Sequence, residues 1–215
     1  MANDGGRNFS IFVLYLTSTL FIYIRLNASR ISLEQHIQIS FPVKRVFLWG
    51  MMGVGKTTTA KKLAARLAWD VVDLDDVIEH LAGKSIPMIF SEAGQEEFRN
   101  LEQQALKSLH AQERVVISTG GGTPAFFDNA DIMLETGLCA WLDAPLGMLV
   151  HRLSNAKTPR PLLEGMSEEE MMKRLQSLLD ERHSSYGRAH MILSMNNLSV
   201  QQAVDTLSGI ILSRS

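Results

Sequence analysis

At 215 residues, with 46% hydrophobic and 20% charged positions, the chain has the size and composition of one globular domain with a sizeable core. A formal net charge of −2 supplies no basic face for nucleic acid. The single cysteine, Cys139, excludes an internal disulfide and fits a reducing, cytoplasmic compartment, and the histidines are scattered without zinc-ligand spacing.

The N-terminal part stands apart from the rest. Phe9 to Ile24 is an uncharged, mostly apolar stretch, a little short of the about 20 residues that cross a bilayer as a helix. It lacks a strongly basic preceding region, and Asn27-Ala28-Ser29 makes a poor cleavage site, so a secretory signal is weakly supported. Two alternatives stay open. The segment is a translated upstream region outside the working protein, or it is an anchor with Arg25, Arg30, Lys44 and Arg45 holding the remainder in the cytosol. Residues 1–42 are expected to be a non-catalytic extension, and residues 43–215 one α/β domain.

From Val43 onward the pattern is regular. Val46-Phe47-Leu48-Trp49 predicts a buried strand, and Ala60, Leu63, Ala64 and Leu67 at i, i+3, i+4, i+7 predict an amphipathic helix. Between them, Gly50-Met51-Met52-Gly53-Val54-Gly55-Lys56-Thr57 fits G-x-x-x-x-G-K-[ST], in the strand-then-helix context that identifies a phosphate-binding loop. Glycines let backbone N–H groups converge on an anion, and the helix N-terminus adds partial positive charge at the same point. Lys56 is placed to reach the β- and γ-phosphates of a nucleotide, and the Thr57 hydroxyl to ligate Mg²⁺.

Val71-Val72 predicts a second strand ending at Asp73. In an open parallel sheet the carboxyl ends of strands face the ligand crevice, so Asp73-Leu74-Asp75 points to the phosphate side. One carboxylate suits Mg²⁺ through water and the other an acceptor hydroxyl; alternatively Asp75 N-caps the following helix. A helix from about Glu96 buries Phe98, Leu101, Ala105 and Leu109. Arg99 lies at the edge of that stripe, aimed at a ligand or held in a surface ion pair with Glu96 or Glu102. Val115-Val116-Ile117 predicts a third strand. It runs into Gly120-Gly121-Gly122, either a close backbone approach to a ligand or a plain turn. Leu138 to Leu142 predicts a fourth strand, with Cys139 as a small buried hydrophobe.

Lys157-Thr158-Pro159-Arg160-Pro161 holds an arginine between prolines in a polar loop, suited to a lid over a nucleotide. Ser167 with Glu170, and Ser199 with Gln202, predict capping boxes on the last two helices. On the first of these, Met171, Leu175 and Leu178 form the buried stripe, and Arg182 at i+11 returns to its centre. A guanidinium there is costly unless it meets an anion, the alternative being an arginine that snorkels at the helix end. Met191-Ile192-Leu193 predicts a fifth strand. Strands alternating with helices imply a five-stranded parallel sheet with helices on both faces, a three-layer α/β fold.

From Val46 to the C-terminus these motifs together resemble shikimate kinase, in the nucleoside-monophosphate-kinase-like group of P-loop enzymes. The resemblance rests on the P-loop, Asp73 and Asp75, Glu97-Phe98-Arg99 with Leu101-Glu102, Ser118-Thr119-Gly120-Gly121-Gly122, Arg160-Pro161-Leu162-Leu163, and Arg182 with Tyr186. It implies a P-loop kinase fold with a mobile lid and phosphorylation of the shikimate 3-hydroxyl by MgATP. Gly53, Val54, Gly55, Lys56, Thr57, Thr58 and Arg160 would then hold ATP. Asp75 would be the base on the acceptor hydroxyls, Arg99 and Arg182 would grip its carboxylate, and Gly121 would add a backbone contact. Thr57, with Asp73 through water, would hold Mg²⁺. A monomer is expected. Ser194-Met195-Asn196 stands where many members have Asp-Thr, a departure confined to the adenine loop. A gluconate-type kinase and a non-catalytic nucleotide-binding module remain as alternatives on the same fold.

Overall fold

The computed structural model describes residues 42–155, 163 and 165–213. The expectations for the apolar N-terminal stretch and for Arg160 lie outside these residues. Among the described residues, no helix is long and apolar enough to cross a membrane.

The strands are β1 (Arg45–Trp49), β2 (Asp70–Asp73), β3 (Val115–Ser118), β4 (Leu138–Asp143) and β5 (Met191–Ser194). All pair in parallel, in the order β2-β3-β1-β4-β5. Each extends slightly beyond the apolar run that announces it, because the ladder continues into polar end residues: Asp73 pairs with Ser118, and Asp143 with Ser194. Every residue of β3, and of β4 from Leu138 to Leu142, is buried. Side chains alternate faces along a strand, so burial at every position means that both faces of the sheet are covered. Cys139 is among them, and burial raises its thiol pKa well above the ordinary value.

The helices are α1 (Lys56–Leu67), α2 (Leu74–Ala82), α3 (Ile86–Ser108), α4 (Asn129–Thr136), α5 (Leu146–Ser154), α6 (Glu168–Tyr186) and α7 (Val200–Leu212). Helix α1 buries Ala60, Leu63, Ala64 and Leu67, the stripe its spacing predicts. Both capping boxes form, at Ser167/Glu170 on α6 and Ser199/Gln202 on α7.

Two local expectations are corrected. Helix α2 is capped by Asp73 and not by Asp75: the Asp73 carboxylate accepts from the Asp75 backbone N–H at 3.2 Å, while Asp75 sits within the first turn. Asp73 ends β2 in an extended conformation, which is the backbone geometry an N-cap requires. The helix expected from about Glu96 starts earlier, at Ile86, and kinks at Gly94 (φ 78°, ψ −174°). Glycine tolerates that left-handed backbone, so the stripe from Phe98 begins just past a break within α3.

The parallel order places the functional loops side by side. The carboxyl ends of β2, β3 and β1 are neighbours, with Asp73 in register with Ser118 and Ser118 in register with Leu48. They lead respectively into Asp73–Asp75, Gly120–Gly122 and the P-loop.

Candidate active site

The P-loop is shaped by its backbone. Gly50 adopts φ 135°, and a Cβ there would lie 2.4 Å from the Leu142 carbonyl oxygen, so only glycine fits where the loop leaves β1. Gly55 is the left-handed N-cap of α1 and offers no capping side chain, and no acid occupies the first turn. Helix α6 is the contrast, with a side-chain cap and Glu168, Glu169 and Glu170 at its start. The open end of α1 thus keeps its N–H groups and partial positive charge for an anion. Gly53 and Val54 form the turn before it, and the Val54 side chain is buried, so its backbone is the part near a ligand. Lys56 lies across this loop, donating to the carbonyls of Gly50 at 2.8 Å and Met51 at 3.2 Å. Thr57 and Thr58 are exposed at the helix start.

Beside it is an oxygen-lined corner. Thr57 Oγ1 donates to Asp73 Oδ2 at 2.8 Å and lies 3.2 Å from Ser118 Oγ. A carboxylate with two hydroxyls is a hard-oxygen donor set, the chemistry that suits Mg²⁺ bound largely through water.

The second half of the site converges on Gly120-Gly121-Gly122. A Cβ on Gly120 would lie 2.8 Å from Glu102 Oε1 and 3.5 Å from Asp75 Oδ1. On Gly121 it would lie 3.0 Å from Arg182 Nη1, and on Gly122 2.6 Å from Arg99 Nη2. The three glycines are therefore a close approach and not a plain turn: each gives room to a different charged side chain. The same Gly121 position is 3.6 Å from the Gly50 carbonyl oxygen and 3.7 Å from the Met52 nitrogen, which sets this cleft directly against the P-loop.

The two arginines differ in their surroundings. Arg99 donates to Glu102 Oε2 at 2.6 Å, with side-chain exposures of 11% and 0%, so the expected surface ion pair is a buried one. Its guanidinium carbon sits 4.0 Å from the Phe126 ring centroid and 4.9 Å from that of Phe98. Its Nε is buried without a hydrogen-bond partner among the described residues. Arg182 is 5% exposed, on the α6 face with Met171, Leu175 and Leu178, which excludes snorkelling into solvent. Its Nη1 lies 3.8 Å from the Met51 sulfur, which is also 3.7 Å from the Tyr186 hydroxyl.

Four contributors were not assigned a role from the residues alone, and Glu102 only that of an alternative surface partner for Arg99. Glu102 is fully buried, holding Arg99 and accepting from Thr123 Oγ1 at 2.6 Å; its i+3 spacing from Arg99 was the available signal. Ser118 is revealed by strand register. Arg152 on α5 donates to the carbonyls of Gly53 at 3.3 Å and Val54 at 3.1 Å, bracing the P-loop. Phe126 and Tyr186 depend on packing between distant elements, which no local pattern encodes.

A family model described as shikimate kinase matches residues 52–210. A shikimate kinase of Phocaeicola vulgatus is 40% identical over 167 residues, covering 76% of this chain and 95% of that protein. Among solved structures, the shikimate kinase of Bacteroides thetaiotaomicron superposes with TM-score 0.75 at 36% identity, covering 79% of this chain and 98% of that one. That of Acinetobacter baumannii, solved in complex with shikimate, gives TM-score 0.72 at 30% identity, covering 80% and 94%. With the family model matched over most of the chain and these relatives covered almost throughout, the chain belongs to the shikimate kinase family.

Proposed function

We propose that this chain transfers the γ-phosphoryl group of ATP to the 3-hydroxyl of shikimate, giving 3-phosphoshikimate and ADP. The observation that carries the proposal is the convergence of Asp75, Arg99 and Arg182 on Gly120–Gly122, with Gly121 against the P-loop. Two guanidinium groups suit one carboxylate, and one aspartate suits ring hydroxyls, so the acceptor is a small hydroxylated acid held next to the phosphates.

In this reading the backbone from Gly53 to Thr58 cradles the β- and γ-phosphates, and Lys56 exchanges its two P-loop carbonyls for phosphate oxygens. Thr57 and Asp73, the latter through water, are the groups that would hold Mg²⁺, whose role is to neutralise charge on the phosphates. Arg182 and Arg99 orient the acceptor by its carboxylate, and the Gly121 backbone adds a contact. Asp75 accepts the proton of the 3-hydroxyl as its oxygen bonds to the γ-phosphorus and the bond to the ADP oxygen breaks. The family resemblance assigns Arg160 to the ATP phosphates. Positioning and charge stabilisation supply the catalysis, since phosphoryl transfer asks little covalent chemistry of the protein.

The test is ADP release from MgATP with shikimate, gluconate or AMP as acceptor. Release that depends strongly on shikimate is expected; folded, ATP-binding protein without it would overturn the assignment.

A further inference from the structure

We propose that Tyr186 is a positioning residue of the acceptor cleft, its phenol fixing Arg182 and the Gly121 carbonyl in the arrangement that receives the substrate carboxylate. This rests on the reading above, in which Arg182 and Gly121 contact the acceptor. Tyr186 ends α6, one turn beyond Arg182 on the same buried face, and its side chain is 0% exposed. Its hydroxyl donates to the Gly121 carbonyl. A phenol has a single proton, so that donation leaves its oxygen as an acceptor near the charge of Arg182. Arg182, Tyr186 and Gly121 thus form one cluster joining α6 to the glycine loop, with Arg182 Nη1 3.0 Å from where a Gly121 Cβ would lie. Met51 of the P-loop closes it, its sulfur 3.8 Å from Arg182 Nη1 and 3.7 Å from the Tyr186 oxygen.

The charged groups near the phenol, Arg182, Glu102 and Arg99, belong to this cleft. Burial raises the phenol pKa to about 12, so it stays protonated and its donation to Gly121 persists at any working pH. The Trp141 ring packs beside it, with centroids 5.4 Å apart. Phenylalanine would fill the same space and keep that packing. What the hydroxyl adds is a fixed orientation for a buried guanidinium whose other neighbour here is a weakly accepting thioether.

The experiment is steady-state kinetics on the full chain with Tyr186→Phe, Arg182→Met and the double variant. Tyr186→Phe is expected to raise the KM for shikimate about tenfold while kcat and the KM for ATP stay within about twofold, the loss of one buried hydrogen bond that orders the cleft. In the Arg182→Met background the same change should add less than it does alone, because part of its effect passes through Arg182. A lowered Tm with unchanged shikimate KM in Tyr186→Phe, while Arg182→Met does raise KM, overturns the positioning role and leaves the cleft assignment standing. An unchanged shikimate KM in Arg182→Met overturns the cleft assignment itself, and this inference with it. A second measurement needs no change at Tyr186. The other two tyrosines are Tyr15 and Tyr23, so replacing them with phenylalanine and incorporating 3-fluorotyrosine makes Tyr186 the sole fluorine label. Its resonance should move on saturation with shikimate, and an unmoved resonance overturns the proposal.

Discussion

The acceptor cleft has two arms, and they hold their arginines by different physics. On the α3 arm, Arg99 is paired with the fully buried Glu102 and lies between the rings of Phe126 and Phe98. On the α6 arm, Arg182 is equally withdrawn from solvent, yet its neighbours are a sulfur and a phenol. The first arm is balanced in charge before any ligand arrives. The second leaves a positive charge in a cleft that a substrate carboxylate would complete. Two arginines with one proposed ligand therefore carry different structural burdens, and substitution separates them.

The largest effect is expected from Arg99→Met. Removing the guanidinium strands Glu102 with only the Thr123 hydroxyl, and breaking a buried pair from one side costs about 3–5 kcal/mol of stability. Urea unfolding measures this; a loss below about 1 kcal/mol would show that the pair is no structural element and would erase the contrast between the arms. Arg182→Met comes next. Methionine continues the apolar stripe of α6, so stability should change by no more than about 1 kcal/mol. Shikimate binding should weaken by about 2–4 kcal/mol with ATP binding nearly untouched, as calorimetric titration of each ligand would report. A large stability loss with unaltered shikimate binding would reverse the roles of the two arms.

A finer probe is Phe126→Leu, which keeps an apolar side chain over Arg99 but removes the aromatic face. The cation–π contribution is about 1 kcal/mol, so shikimate affinity should fall about fivefold while Glu102 still holds the guanidinium. Unchanged affinity would assign the orientation of Arg99 to Glu102 alone.

The smallest effect serves as a control away from both arms. His190 precedes β5, its Nδ1 accepts from the Cys139 backbone N–H at 3.0 Å, and burial lowers its pKa from the ordinary 6.5. Because the folded pKa lies below the unfolded one, the unfolded chain binds the proton more readily. The stability contribution is complete above about pH 6.5 and declines as pH falls from there toward the folded value. Urea midpoints should therefore drop modestly between about pH 7.5 and 5.5, and less so in His190→Asn. A slope that survives the substitution would place the acid sensitivity elsewhere, the two arms included.

The comparison also explains how much was legible beforehand. The P-loop binds through consecutive backbone groups, so Gly50 to Thr57 carry its chemistry within one contiguous motif. Arg182 was legible because a helix is periodic: at i+11 from Met171 a charge falls on a buried stripe, and its 5% exposure bears this out. The local boundary at Asp73 and Asp75 was not, since either aspartate can cap a helix and the end of β2 decides which does. Nor was the burial of Arg99, because a pair at i and i+3 reads the same on a wet or a dry helix face.

Hydrophobic period and glycine placement thus determined the strands, the helices, the α/β class and the phosphate loop, since each depends on residues within a few positions of one another. Only the tertiary structure decided that Asp75, Arg99 and Arg182 meet on three successive glycines, that Ser118 lies by Thr57, and that Tyr186 spans α6 and the glycine loop. Those contacts join residues as many as 65 positions apart, the separation of Gly121 and Tyr186. The order of strands in the sheet creates them, and that order follows from how whole helices and strands cover one another rather than from any local spacing.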